Sequence, residues 1–271
     1  MDENLRVVLT CPHSFLAEHT CCYKPNAAFF EAIGPTHGMQ TLQRVINSID
    51  SDIPILLDVK RGDIGSTAQA YAKACYDMGV HAVTLSPLMG WDSIEPFISG
   101  EHSDKGAFIL CKTSNPGSND FMTLQVSSPS SSDTITLYEQ IAKQAKEWSP
   151  IIGLVVGATD PIALSKARQA AGEDTWILAP GVGAQGGDLE ASLKAGLNQN
   201  GTKMLIPVSR GISKAKDMKE AAKQLKDSIN QARKKLLVSL IHLHHSVLFS
   251  MYCAHVLLVI RMMTTSPRDK S

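Results

Sequence analysis

The residues best suited to chemistry lie together in the run DVKRGDIGST, residues 58–67. Asp58 and Lys60 are two apart and follow the apolar run IPILL, so on a strand both project to the same side. Charge buried at a strand end is costly unless paired, and the order Asp58, Lys60, Asp63 predicts mutual neutralisation in a pocket. An ammonium held this way can stabilise a developing anion and then donate its proton. A salt-bridged strand end without catalytic work would satisfy the same spacing. Other segments extend the pattern. Lys24-Pro25-Asn26 ends another apolar run and brings a second lysine, while Thr113 and Ser114 open a polar turn, TSNPG. Pro180 begins a glycine-rich loop, PGVGAQGG, and Ser209-Arg210-Gly211 follows a further apolar run. Backbone N–H groups of such loops, with an arginine clamp, suit a phosphorylated ligand. Neither GxGxxG nor a Walker motif occurs, so a dinucleotide or ATP is not implied.

These residues need a scaffold that places several chain segments at one mouth. Apolar runs at 21–26, 53–60, 81–87, 106–114, 151–158, 175–183 and 203–211 lack polar alternation, as strands buried on both faces of a parallel sheet do. Helical spacing separates them. Ala68, Tyr71, Ala72, Cys75 and Met78 form one apolar face with Gly79 as its stop, and Met218, Ala221, Ala222, Leu225, Ile229 and Ala232 form another. Seven such units predict an α/β fold, a (β/α)8 TIM barrel, over an open doubly wound sheet. The eighth strand has one upstream candidate, LRVVLT (5–10), with too few residues after it for a full helix. The first unit is therefore shortened or missing. Residues 1–20 are read as its remnant, 21–233 as the barrel and 234–271 as a hydrophobic tail. The polar stretch 114–134 is expected to be a lid or a disordered insertion.

The chain has 271 residues, and its 26 Lys+Arg balance 26 Asp+Glu. That balance argues against a dedicated nucleic-acid binder, which needs a basic surplus. With 44% hydrophobic residues, most of the chain can pay for an ordered core. Six cysteines, none in a CxxC pair, and an N-terminus without a signal-peptide core predict thiols in a cytoplasmic protein. From Leu236 to Ile260 no Asp, Glu, Lys or Arg occurs. This stretch is long enough to span a bilayer, but its four histidines and three serines make it a poor span. A non-native extension, a tail anchor and a docked helix are the alternatives. No metal is expected at His242, His244 and His245, which lack acidic or cysteine partners nearby.

From about residue 21 to 212 the chain resembles the orotidine 5′-monophosphate decarboxylase family, in the subgroup that includes the decarboxylase half of fused UMP synthases. DVKRGDIGST carries the resemblance, with KPNAAFFEAIG, CKTSNPGS, APGVGAQGG and SRGI in order. The resemblance implies decarboxylation of orotidine 5′-monophosphate to UMP without metal or cofactor. Lys60 would protonate C6, and Asp58 would hold Lys60 beside the substrate carboxylate. Lys24 and Asn26 would contact the ribose and the charge array, and Thr113 and Ser114 the pyrimidine. Gln185, Arg210 and Gly211 would hold the phosphate. Ile64 and Pro180 complete the substrate-binding set. Asp63 and Thr67 would reach into the partner subunit of a homodimer. In fused relatives of this order a phosphoribosyltransferase follows the barrel, which makes such an enzyme a candidate partner. Two features depart from the family pattern: the aspartate of its first strand has no counterpart at the end of LRVVLT, and the tail replaces any transferase sequence. Rival readings are a Mg²⁺-dependent sugar-phosphate decarboxylase, a Schiff-base aldolase using Lys60 or Lys112, and an inactive or tail-anchored relative.

Overall fold

A computed structural model describes residues 7–9, 14–127, 134–182 and 187–238. Its strands are β1 (Val7–Leu9), β2 (Thr20–Tyr23), β3 (Leu56–Arg61), β4 (Ala82–Leu85), β5 (Gly106–Lys112), β6 (Gln125–Ser127), β7 (Thr134–Thr136), β8 (Ile152–Val156), β9 (Ile177–Leu178), β10 (Met204–Leu205) and β11 (Pro207–Val208). The helices are α1 (Ala27–Glu31), α2 (Pro35–Asn47), α3 (Gly65–Tyr76), α4 (Asn119–Met122), α5 (Leu137–Trp148), α6 (Pro161–Ala171), α7 (Leu189–Gly196), α8 (Arg210–Ser213) and α9 (218–238).

Six strands form one parallel sheet in the order β10-β9-β8-β5-β4-β3, and a second sheet runs β11-β1-β2. The two are continuous. β10 and β11 are halves of one segment interrupted at Ile206, and β2 meets the third strand through the parallel bridges Tyr23↔Ile55 and Asn26↔Asp58. Counting β10 and β11 together, eight strand positions close a ring, as the barrel reading requires. The first unit is shortened, not missing: β1 is three residues long, and the 3-10 turn Ser14–His19 stands where a helix would follow it.

Two apolar layers result. Leu57, Val83, Ile109, Leu154 and Ile177 point outward and are buried under helices, with Ala68, Ala72, Ala142, Leu164, Ala222 and Ile229 among the residues covering them. Cys22, Leu56, Val155 and Leu178 pack inside the ring. Burial pushes the Cys22 thiol up to about 12 and that of Cys75 up to about 11, so these thiols stay protonated and behave as apolar groups. Caps set several helix starts. Asp160 Oδ1 accepts from Ala163 N at 3.0 Å, Asp188 Oδ1 accepts from Ala191 N at 3.1 Å, and Thr136 with Glu139 forms a capping box. Gly79, at φ +88°, adopts the left-handed conformation that glycine tolerates just beyond α3.

The described part of the 114–134 stretch, expected to be a lid or a disordered insertion, is locally ordered. A 3-10 turn at Pro116–Ser118, α4, and the antiparallel pair β6–β7 give it local structure, with Thr123 Oγ1 bonding the Asn119 carbonyl and Lys112 bonding Ser118 and Asn119. Among the described residues, no helix is long and apolar enough to cross a membrane. The uncharged tail from residue 239 and its histidines lie outside the described residues.

Arg168 ties together the ends of four elements. Its guanidinium donates to the carbonyls of Gly196 (2.9 Å), Gly172 (2.9 Å), Thr175 (2.6 Å) and Lys203 (2.8 Å), with burial pulling its pKa down to about 10. Arg168→Leu removes all four bonds and takes this donor from the buried carbonyls of Gly196 and Thr175, and it is expected to cost about 3 kcal/mol or more. Urea unfolding followed by circular dichroism checks this, and a loss below about 1 kcal/mol would contradict it.

Candidate active site

The parallel ring directs every strand's C-terminal end to one mouth, where the loops of (β/α)8 enzymes carry their chemistry. Asp58 stands at its centre. Its Oδ2 accepts from Lys24 Nζ at 2.6 Å, and its Oδ1 accepts from Lys60 Nζ and, at 3.0 Å, from Thr84 Oγ1. Asp58 and Lys24 side chains are only 9% and 10% exposed, whereas Lys60 is 48% exposed and faces the open mouth. Burial pushes the Asp58 carboxyl upward, but the charges and hydrogen bonds of Lys24 and Lys60 overcome it, and the net shift is downward. An ionised carboxylate therefore sits between two ammonium groups. One lysine anchors it and the other is presented to solvent.

The backbone explains how Lys60 is aimed. Its φ is +45°, a conformation that a side chain with a Cβ rarely adopts. Thr84, 1% exposed on the adjacent strand, supports this turn. Its hydroxyl oxygen accepts from Val59 N at 3.1 Å and Lys60 N at 3.0 Å while its proton goes to Asp58. Sequence reading passed over Thr84. The available signal was a lone hydroxyl in the otherwise apolar strand AVTL. Thr84→Val keeps the volume but removes all three bonds and is expected to lower kcat on the order of 10–100-fold with KM less affected. Thr84→Ser retains them and should keep most of the rate, and steady-state kinetics of the two variants read the difference.

The remaining sequence-derived residues are spread around the same mouth or lie outside the described residues. Asn26 is near the array: it bridges to Asp58 through the backbone and caps α1, its Oδ1 accepting from Ala28 N. Thr113 and Ser114 follow β5, with Thr113 Oγ1 donating to Asn115 Oδ1 at 2.7 Å. The close approach of Gly157 to Ser114, where a Cβ would come within 2.8 Å of Ser114 Cα, holds that turn against the end of β8. Pro180, Arg210 and Gly211 lie on the same rim, after β9 and β11, and Arg210 has no carboxylate partner among the described residues. Gln185 lies outside the described residues, between Val182 and Gly187, which bridge each other.

Asp63 does not join the Asp58–Lys60 cluster within this chain, contrary to the pairing its spacing suggested. The chain turns away after Lys60, and Asp63 Oδ1 accepts from Ile64 N at 2.8 Å. Ile64 and Thr67 are exposed beside it at the start of α3. Lys112 also stands apart from Asp58. It is 5% exposed and donates to Ser118 Oγ and Asn119 Oδ1, both at 2.9 Å, so it secures the turn before α4. That placement removes it as an accessible Schiff-base lysine.

The closed parallel ring, with a lysine–aspartate–lysine array at its C-terminal mouth, has the architecture of a (β/α)8 enzyme. A family model, orotidine 5′-phosphate decarboxylase / HUMPS family, matches residues 14–225. The chain belongs to this family. It is 47% identical over 223 residues to an orotidine 5′-phosphate decarboxylase of Roseiflexus castenholzii, covering 78% of each chain. Among solved structures, a putative orotidine-monophosphate-decarboxylase from Toxoplasma gondii superposes with a TM-score of 0.79 at 42% identity, over 88% of this chain and 94% of that one. The Leishmania donovani UMP synthase matches with a TM-score of 0.77 and 44% identity, over 85% of this chain and 54% of that one.

Proposed function

We propose that this carboxy-lyase converts orotidine 5′-monophosphate to UMP and CO2, with Lys60 as the proton donor. The observation that carries the reading is Asp58 fixed between Lys24 and Lys60, with Lys60 alone of the two lysines open to the mouth. As the C6–carboxylate bond breaks, its electron pair stays on C6 in the plane of the ring, where the π system cannot delocalise it. The Lys60 ammonium stabilises that developing charge more than it stabilises the substrate, as acceleration requires. Its N–H bond then breaks as C6–H forms, and the neutral amine regains a proton from solvent. Asp58 holds the ammonium in place and keeps it charged.

Asn26 and Lys24 serve the ribose side, and Thr113 and Ser114 bond the pyrimidine. Arg210, Gly211 and Gln185 hold the 5′-phosphate, with Ile64 and Pro180 lining the ring. Asp63 and Thr67 act across a homodimer interface, which accounts for the exposure of Thr67 and for Asp63 bonding its own Ile64 N and not Lys60. Mg²⁺ fits this mouth poorly, because both oxygens of Asp58 already bond ammonium groups that a cation would have to displace. The full chain is therefore expected to consume orotidine 5′-monophosphate, followed by ultraviolet absorbance, with equal rates before and after EDTA. Folded protein that turns over only a sugar phosphate, and only with Mg²⁺, would overturn the reading.

A further inference from the structure

Two lysines are buried among the described residues, Lys24 and Lys112. Lys24 has the Asp58 carboxylate as its counter-charge. Lys112 instead donates to two uncharged oxygens, Ser118 Oγ and Asn119 Oδ1, and makes no ion pair among the described residues. An ammonium kept out of water on neutral acceptors is costly. A strand end that had only to fill space would be served better by leucine or methionine. The charge is therefore tied to what its two bonds hold.

Those bonds enclose one loop. Lys112 and Ser118 are its buried roots, Thr113 and Ser114 are half-buried between them, and Asn115, Pro116 and Gly117 are exposed. Lys112 Nζ closes the loop from root to root and also holds Asn119, the first residue of α4. The lysine is itself anchored, its carbonyl accepting from Gly157 N at 2.7 Å. Ser118 N donates to the Asn115 carbonyl at 3.0 Å, which ties the loop within. Gly157 lies against Ser114 and Lys112 joins the loop's ends, so the Thr113 and Ser114 hydroxyls stand on a segment fixed at both sides. Removing the lysine releases one of the two supports.

We propose that Lys112 is a positioning residue for recognition of the base: by tying Ser118 and Asn119 to the end of β5, it sets Thr113 and Ser114 where they bond the pyrimidine. It acts through the loop and does not touch the substrate. The proposal rests on the reading of Thr113 and Ser114 given above. The test compares the full chain with its Lys112→Met variant in turnover of orotidine 5′-monophosphate. Calorimetry then measures binding of UMP and of ribose 5-phosphate, which carries sugar and phosphate without the base. Methionine keeps the length and removes the buried charge, so the fold should survive. Lys112→Met is expected to weaken UMP on the order of 10-fold or more and to lower kcat/KM, while ribose 5-phosphate changes by less than about twofold. Lys112→Arg, whose fork can donate to both oxygens, should recover most of the loss. Ser118→Ala with Asn119→Ala removes the same bonds from the other side and should reproduce it, with no further loss when Lys112→Met is added. Equal weakening of UMP and ribose 5-phosphate would mean general damage to the mouth and would overturn the proposal. So would native UMP affinity in both Lys112→Met and the alanine pair. With the native chain still turning over its substrate, either result removes the positioning role alone. A native chain that neither turned over orotidine 5′-monophosphate nor bound UMP would remove the functional reading, and this proposal with it.

Discussion

Turnover of orotidine 5′-monophosphate by the Lys60→Ala chain is expected to fall on the order of 10⁴-fold, combining lost proton donation with lost stabilisation of the carbanion. KM should move far less, because Lys60 favours the transition state over the bound substrate. Lys60 is half-exposed and its backbone is held by Thr84, so the fold should survive the change. Lys60→Arg separates charge from proton delivery. It keeps a cation but one that does not deprotonate in proteins, and its planar fork does not fit a site shaped for a single ammonium. It should remain nearly inactive. Single-turnover decarboxylation with thermal unfolding as a control measures both variants, and more than a tenth of the native rate in Lys60→Ala would require another proton donor.

Asp58→Asn should be nearly as damaging to the rate and far more damaging to the fold. Lys24 is buried with Asp58 as its partner, and removing one member of a buried pair typically costs about 3–5 kcal/mol. The pH dependence follows from the lowered Asp58 pKa. A carboxyl whose folded pKa is depressed contributes stability that is fully present above the unfolded value of about 4 and is lost as pH falls through the folded value. The native chain should therefore lose stability below about pH 4, and Asp58→Asn should lose less over the same interval. Urea midpoints across pH 3–7 for the two chains test this, and parallel curves would remove Asp58 from the acid transition.

Much of this site was legible because its determinants are local. Asp58 and Lys60 share one strand, the apolar runs mark the strands that carry Lys24 and Ser114, and the spacing of Ala68, Ala72 and Cys75 marks the helix behind them. What escaped depends on pairing between distant segments. Thr84 matters only because its strand lies beside β3, and a single threonine in an apolar run does not announce that neighbour. LRVVLT looked too short for a barrel unit, yet its three strand residues are held by β2 on one side and β11 on the other. The turn after Lys60 was equally hidden. A two-residue strand period carries Asp58 and Lys60 to one side but says nothing of the positive φ that sends Asp63 elsewhere.

The seam between β2 and the third strand is made of two isolated bridges, Tyr23↔Ile55 and Asn26↔Asp58, with no continuous ladder. At its upper end the backbone contact from Asp58 N to the Pro25 carbonyl and the Lys24–Asp58 pair come from the same few residues that form the proposed reaction site. The array proposed to be catalytic is thus also the clasp of the cylinder. Whatever tightens one tightens the other, so a bound nucleotide raises the free energy of opening that seam and a gap there disarms the chemistry.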